Sequence, residues 1–201
     1  TPIGPEDGPP AMTRRLSLTM AESEDRAMEL EETVERLRKS EDELRHSATH
    51  DALTGLPNRT QFMDRLNFEL ERAHETSTEI AVAFLDLDKF KSINDTLGHE
   101  TGDRLLQLVA QRVRARIRSS DTVGRLGGDE FALVLADLSS DPVSAELLER
   151  IMDSLSRPYE VNGKLLRCAP SLGIARYPSH GVDAETLLAN ADHAMYEAKR
   201  Q

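Results

Sequence analysis

Apolar side chains recur on alternating three- and four-residue steps between about Glu22 and Ala48, at Ala27, Leu30, Val34, Leu37, Leu44 and Ala48, among strong helix formers. That spacing predicts a helix with a coiled-coil seam, because an isolated amphipathic helix is marginal in water and its stripe must be buried somewhere. Glu41 interrupts the series and acidic side chains dominate the flanks, so a solvated single helix is the competing expectation. Ahead of it, TPIGPEDGPP crowds Pro and Gly together without apolar periodicity. Residues 1–21 therefore read as a disordered arm or a vector-derived remnant.

The pattern changes at Thr49, and residues 49–201 read as a second unit. Helical spacing covers Asp64 to Ala73, Asp103 to Arg118, Pro142 to Leu155 and Ala184 to Arg200. IAVAFLDLD from Ile80 is a short apolar run with a β-branched and aromatic bias, which predicts a buried central strand ending in acids. Thr122 to Leu126 and Glu130 to Leu135 are strand-like runs separated by Gly127-Gly128, a pair suited to a tight hairpin turn. Leu165 to Ala175 reads as a further strand after a turn at Asn162-Gly163. Irregular alternation with an antiparallel hairpin inside predicts an α+β fold, an antiparallel-containing central sheet flanked by helices, behind an N-terminal coiled-coil helix.

Composition narrows the function. A formal charge of -11, from 25 basic and 36 acidic residues, repels phosphate backbones at long range and argues against nucleic-acid binding. The single cysteine, Cys168, can form no intramolecular disulfide, so a reducing cytoplasm is the default compartment. The longest apolar run, Ile80 to Leu85, is far shorter than the roughly 18 residues of a membrane-spanning helix, which predicts no membrane contact by this segment. Membrane attachment elsewhere in a longer native chain stays open.

Two carboxylate groups fall where predicted strands end: Asp86 and Asp88 close the first, and Asp129 and Glu130 follow the double glycine. Strands placed side by side would gather hard oxygen ligands, which suit Mg²⁺ and through it a substrate's phosphates. Lys89 and Lys91 follow the first acids and offer ammonium donors. Asn94 and Asp103 offer an amide and a carboxylate that together suit a purine edge with adjacent donors such as guanine's. A turn cap at Asn94 and a helix start at Asp103 would also account for them.

DALTGLPNR (51–59), FLDLDKFKSINDTLGHETGD (84–103), RLGGDEF (125–131), SLGIARYP (171–178) and ADHAMYEAK (191–199) together resemble the GGDEF-domain diguanylate cyclases, in the family's order and over nearly all of residues 49–201. The resemblance implies a nucleotidyl-cyclase-palm-like domain that condenses two GTP into cyclic di-GMP and pyrophosphate across a two-fold homodimer. It implies Asp86, Asp129 and the Leu87 carbonyl as metal ligands for Mg²⁺, with Mn²⁺ as a substitute, and Glu130 completing the acidic cluster. It also implies guanine contacts at Asn94 and Asp103, a base-pocket wall at Leu53 and triphosphate lysines at Lys91 and Lys199. An RxxD motif ends five residues before the double glycine, at Arg118 and Asp121, and matches the family's inhibitory product site, where Arg114 or Arg125 would add positive charge. The family's terminal Gly-Arg-Asn, with a phosphate-contacting arginine, would follow Gln201. PYEVNGKLL and YPSHGVDAETLLANAD resemble the version often followed by a phosphodiesterase (EAL) domain, so a regulatory GTP- or cyclic di-GMP-binding module is the alternative.

Overall fold

In the computed structural model, which describes residues 9–136, 138 and 143–200, helix α1 runs from Pro9 to Thr49. It begins well ahead of Glu22, inside the stretch expected as a disordered arm. Proline is tolerated in a first helical turn, and Ala11, Met12, Arg14, Arg15 and Leu16 are good helix formers that carry the helix on. Residues 1–8, Pro142 and Gln201 lie outside the described residues. Along α1, Leu30, Leu37 and Leu44 stay 65%, 64% and 70% exposed. The chain divides after Ala48 into two compact units.

The second unit is built from α2 (Arg59–Thr76), β1 (Ile80–Leu87), α3 (Phe90–Leu97), α4 (His99–Arg114), β2 (Thr122–Gly127), β3 (Glu130–Leu135), α5 (Val143–Ser156), β4 (Tyr159–Val161), β5 (Lys164–Leu166), β6 (Pro170–Tyr177) and α6 (Ala184–Lys199). Four strands pair antiparallel in the order β2-β3-β1-β6, and β4 and β5 form a separate hairpin. The unbroken apolar run of β1 is explained by burial on both faces. Alternate side chains Ala81, Ala83, Leu85 and Leu87 join a core with residues of α4 and α5, while Ile80, Val82 and Phe84 join a second core with residues of α2 and α6. The expected helix-flanked antiparallel sheet is the observed architecture.

Three local expectations shift. Residues 90–97 form a helix that the sequence reading left unassigned; at eight residues it is too short for periodicity to announce. Gly98, at φ 87°, separates it from α4, which starts at His99 rather than Asp103. The single strand expected over Leu165 to Ala175 divides: Lys164–Leu166 pairs back across the Asn162-Gly163 turn, and β6 begins at Pro170, where a strand-initial proline is tolerated.

Helix α6 lies unusually close to β6. Gly173, paired with Phe84, is where they meet: a Cβ there would overlap the Ala191 carbonyl oxygen and the Met195 amide nitrogen. Cys168, in the segment leading into β6, is buried, and its thiol donates to the Asp88 carbonyl at 3.3 Å. Burial, followed by the nearby carboxylates of Asp88, Asp129 and Asp86, pushes that thiol up to about 11.

Candidate functional site

The site forms where β1 and β3 end together. Asp86 in β1 pairs in register with Glu130 at the start of β3, so both side chains leave the sheet on one face. The turn before Glu130 depends on Gly127 at φ 150° and Gly128 at φ 52°, conformations that L side chains rarely adopt. Asp129 is the second residue of that turn. Its carboxyl is pushed above the usual range by burial and then by the charge of Asp86. Glu130 is pushed the same way by burial, then by Asp192 and Asp86.

Lys199, the last residue of α6, places its ammonium on Asp86 and 3.9 Å from Asp88. The tight seat of α6 on Gly173 delivers that lysine to the end of β1. Asp88 is fixed from the β6 side, its Oδ1 accepting from the Ser171 hydroxyl at 2.8 Å. Crowded carboxylates that raise one another's proton affinity, with a cation already lying on one of them, are hard oxygen donors that fit a divalent cation. Asp86, Asp129 and the carbonyl of Leu87 would supply its ligands. Among the described residues no cluster of three or more His, Cys, Asp or Glu is already drawn into a metal-holding arrangement.

Asn94 on α3 and Asp103 on α4 belong to adjoining helices linked through Gly98. The Asn94 amide lies against Gly102, where any Cβ would collide with it, and its Oδ1 is buried with no hydrogen-bond partner. A buried, orphaned acceptor is costly unless a ligand satisfies it. Asp103 is exposed one turn from Gln107, whose amide donates to the Leu53 carbonyl at 3.2 Å, so the DALTGLPNR loop borders the same helix. Lys91 lies exposed in the first turn of α3. The structure thus brings Asp86, Asp129, Glu130 and Lys199 to one end of the sheet, and sets Leu53 and Asp103 along α4 with Asn94 on the adjoining α3.

Arg125 behaves differently from the expectation that it adds charge to the inhibitory site. Its guanidinium bonds both Asp51 carboxylate oxygens at 2.9 Å and the Gly128 carbonyl at 2.7 and 3.0 Å. It is committed to tying the Asp51 loop to the double-glycine turn. Burial works against the charged form of Asp51, but hydrogen bonds from Thr54 and Arg125 outweigh it and hold the carboxyl below its usual range. The fork geometry of arginine makes such a two-sided clamp available, and the signal in the sequence was an arginine two residues before the glycines. Asp121 is buried, its carboxylate accepting from the Arg118 amide at 2.9 Å and the Ala136 amide at 3.2 Å. It borders a cavity of about 310 Å³ that Arg65 and Arg114 also line.

The sequence profile described as "Diguanylate cyclase, GGDEF domain" matches residues 48–201. Diguanylate cyclase TpbB of Pseudomonas aeruginosa is 45% identical over 174 residues, 86% of this chain and 40% of that protein. The bifunctional diguanylate cyclase/cyclic di-GMP phosphodiesterase MucR of the same organism is 45% identical over 160 residues, 79% of this chain and 23% of MucR. The chain therefore spans less than half the length of these curated relatives. Among solved structures, the coiled coil and GGDEF domain of DgcB from Caulobacter crescentus, in complex with c-di-GMP, is similar with a TM-score of 0.73 at 32% identity, covering 94% of this chain and 95% of that one.

Proposed function

Because the chain belongs to the GGDEF-domain family of diguanylate cyclases, we propose that residues 49–201 condense two GTP molecules into cyclic di-GMP with release of two pyrophosphates. The observation that carries this reading is the meeting of Asp86, Asp129, Glu130 and Lys199 at the end of β1. Asp86, Asp129 and the Leu87 carbonyl hold Mg²⁺, with Mn²⁺ as a substitute. Once bound, that cation neutralises charge on the phosphates of the reacting nucleotide. Lys199 and Lys91 grip the triphosphate with ammonium donors, which orients the α-phosphorus. Asn94 meets the guanine edge through its amide, Asp103 accepts from the base's N1–H and N2–H₂, and Leu53 walls the pocket. Glu130, held beside Asp86 by the strand register, completes the negative surface.

One protomer binds one GTP, so the 3′-hydroxyl that attacks must come from the GTP on a second copy. The exposed leucines of α1 supply the means of pairing, since a helix of 41 residues has enough length for several heptads of seam. Deletion of residues 1–48 is expected to leave a folded, GTP-binding domain whose specific activity is low and climbs steeply with protein concentration, because two half-sites must then meet by diffusion. Sedimentation and rate assays over a dilution series check this. A truncated protein as active per protomer as the full chain at low concentration would assign the pairing to another surface.

We infer product inhibition at Arg118, whose amide the buried Asp121 carboxylate holds, with Arg65 and Arg114 at the neighbouring cavity adding the positive charge that Arg125 does not. The proposed use of GTP favours the cytoplasm as the compartment. Among the described residues no helix is long and apolar enough to cross a membrane. The similarity to bifunctional MucR favours a second reading, in which the domain binds GTP or cyclic di-GMP and regulates a fused phosphodiesterase.

Incubation of the purified chain with GTP and Mg²⁺, followed by nucleotide separation, distinguishes the two. Cyclic di-GMP is the expected product, and GTP binding without product selects the regulatory module. Calorimetry should show GTP bound about tenfold or more tightly than ATP, since a pocket built for one base edge leaves polar groups unpaired against the other. Asp103→Ala should erase most of that preference; equal affinities in the wild type would remove Asn94 and Asp103 from base recognition.

A further inference from the structure

We propose that Asp88 is a positioning residue for Lys199, keeping its ammonium beside the triphosphate once Asp86 is committed to the cation; the inference rests on the site reading above. Asp88 lies just past the end of β1, where the ladder has run out, yet it is held by three contacts, two from the segment leading into β6 and one from β6 itself. Its amide donates to the Ala169 carbonyl at 2.8 Å, its carbonyl accepts from the Cys168 thiol at 3.3 Å, and its Oδ1 accepts from the Ser171 hydroxyl at 2.8 Å. Ser171 is itself placed by the β1–β6 register, opposite Asp86. A carboxylate anchored this firmly at a strand end points in one direction, and the cation it meets is Lys199, at 3.9 Å from that same Oδ1.

Lys199 now lies on Asp86. A divalent cation on Asp86 repels an ammonium resting on the same carboxylate, which favours moving the lysine away from it. Lysine has a flexible four-carbon stem and a strongly hydrated head, and without a second anchor it would leave for water. Asp88 is that anchor. The arrangement assigns the two strand-end acids to different cations: Asp86 serves the metal, Asp88 the lysine, and Ser171 fixes the second assignment. Until the metal arrives, the same lysine shields Asp86 from the repulsion of Asp129.

Two measurements test this on the full chain. Amine-reactive labelling followed by mass spectrometry reads the exposure of Lys199, because an ammonium held against a carboxylate is shielded from the reagent. With Mg²⁺ present, Lys199 should be labelled several-fold faster in Asp88→Asn, and to a lesser degree in Ser171→Ala, than in the wild type. For function, affinity for 3′-deoxy-GTP, which lacks the attacking hydroxyl, is measured by calorimetry with Mg²⁺. Asp88→Asn should weaken it about tenfold in the wild-type background and leave it unchanged in Lys199→Ala. Turnover of GTP should show the loss in KM, with kcat little altered.

An equal loss in both backgrounds overturns the assignment, since Asp88 would then act without Lys199. So does tighter binding by Asp88→Asn, the result for a carboxylate that merely repels phosphate. Ser171→Ala keeps the charge and serves where Asp88→Asn fails to fold. Absence of 3′-deoxy-GTP binding by the wild type overturns the GTP reading of the site and this assignment with it.

Discussion

Asp129→Ala is expected to lower cyclic di-GMP synthesis by about 100-fold or more while leaving the fold as stable as before, or more so. The loss follows from removing one of two carboxylates proposed to hold the cation, whose stabilisation of phosphate charge is worth several kcal/mol. The stability effect has the opposite sign. Burial and the adjacent Asp86 raise the proton affinity of Asp129, so near neutral pH its ionised form strains the folded state relative to the unfolded one. Alanine removes that strain, and the residue lies in the turn outside the strands, so no ladder is broken. Thermal unfolding without divalent cation, set beside a turnover assay with it, checks both halves. Synthesis within a few-fold of wild type would remove Asp129 from the metal site, and a sharply lowered Tm would make its role structural.

Gly173→Ala is expected to act on stability and activity together. The added methyl meets backbone on the facing helix, the Ala191 carbonyl and the Met195 amide, and backbone has no alternative rotamer into which to retreat. Either α6 lifts off the sheet or β6 bends, at a cost of about 3 kcal/mol or more. For a domain of this size that corresponds to a fall in Tm of roughly 10 °C. Because α6 ends in Lys199, a lifted helix also withdraws the ammonium from Asp86 and Asp88, so KM for GTP should rise in the protein that remains folded. Calorimetric unfolding and steady-state kinetics test the pair of effects. An unchanged Tm would show that α6 can move away freely, and the close approach would then not be what places Lys199.

These expectations draw on the sequence to different depths. The acids at the end of β1 and after the double glycine were legible because strand ends and glycine turns leave local signatures, and because the family's motifs run through them in order. The apolar run of β1 likewise announced a strand covered on both faces. Helix α3 was not legible, since Phe90, Ile93 and Leu97 make barely two turns and its boundary rests on the backbone freedom of Gly98. The reach of α1 back to Pro9 was hidden by prolines that mark a loop by composition but are compatible with a helix start. Nor could the chain alone reveal that Arg125 serves Asp51 and Gly128 rather than the Arg118 and Asp121 motif. That pairing joins residues 74 positions apart, and no local pattern encodes which of several nearby arginines will make it.

The state of Cys168 has a practical consequence for following pairing between copies. A buried thiol that titrates near 11 carries about one part in a thousand of thiolate at pH 8, and the thiolate is the species that reacts with maleimides and similar probes. It is also the one cysteine of the chain. The wild-type sequence is therefore already a quiet background: a cysteine introduced on the exposed stripe of α1 can carry a fluorophore or spin label almost by itself. Distances between two such labels could then be followed as GTP and product are added, without first rebuilding the domain's interior.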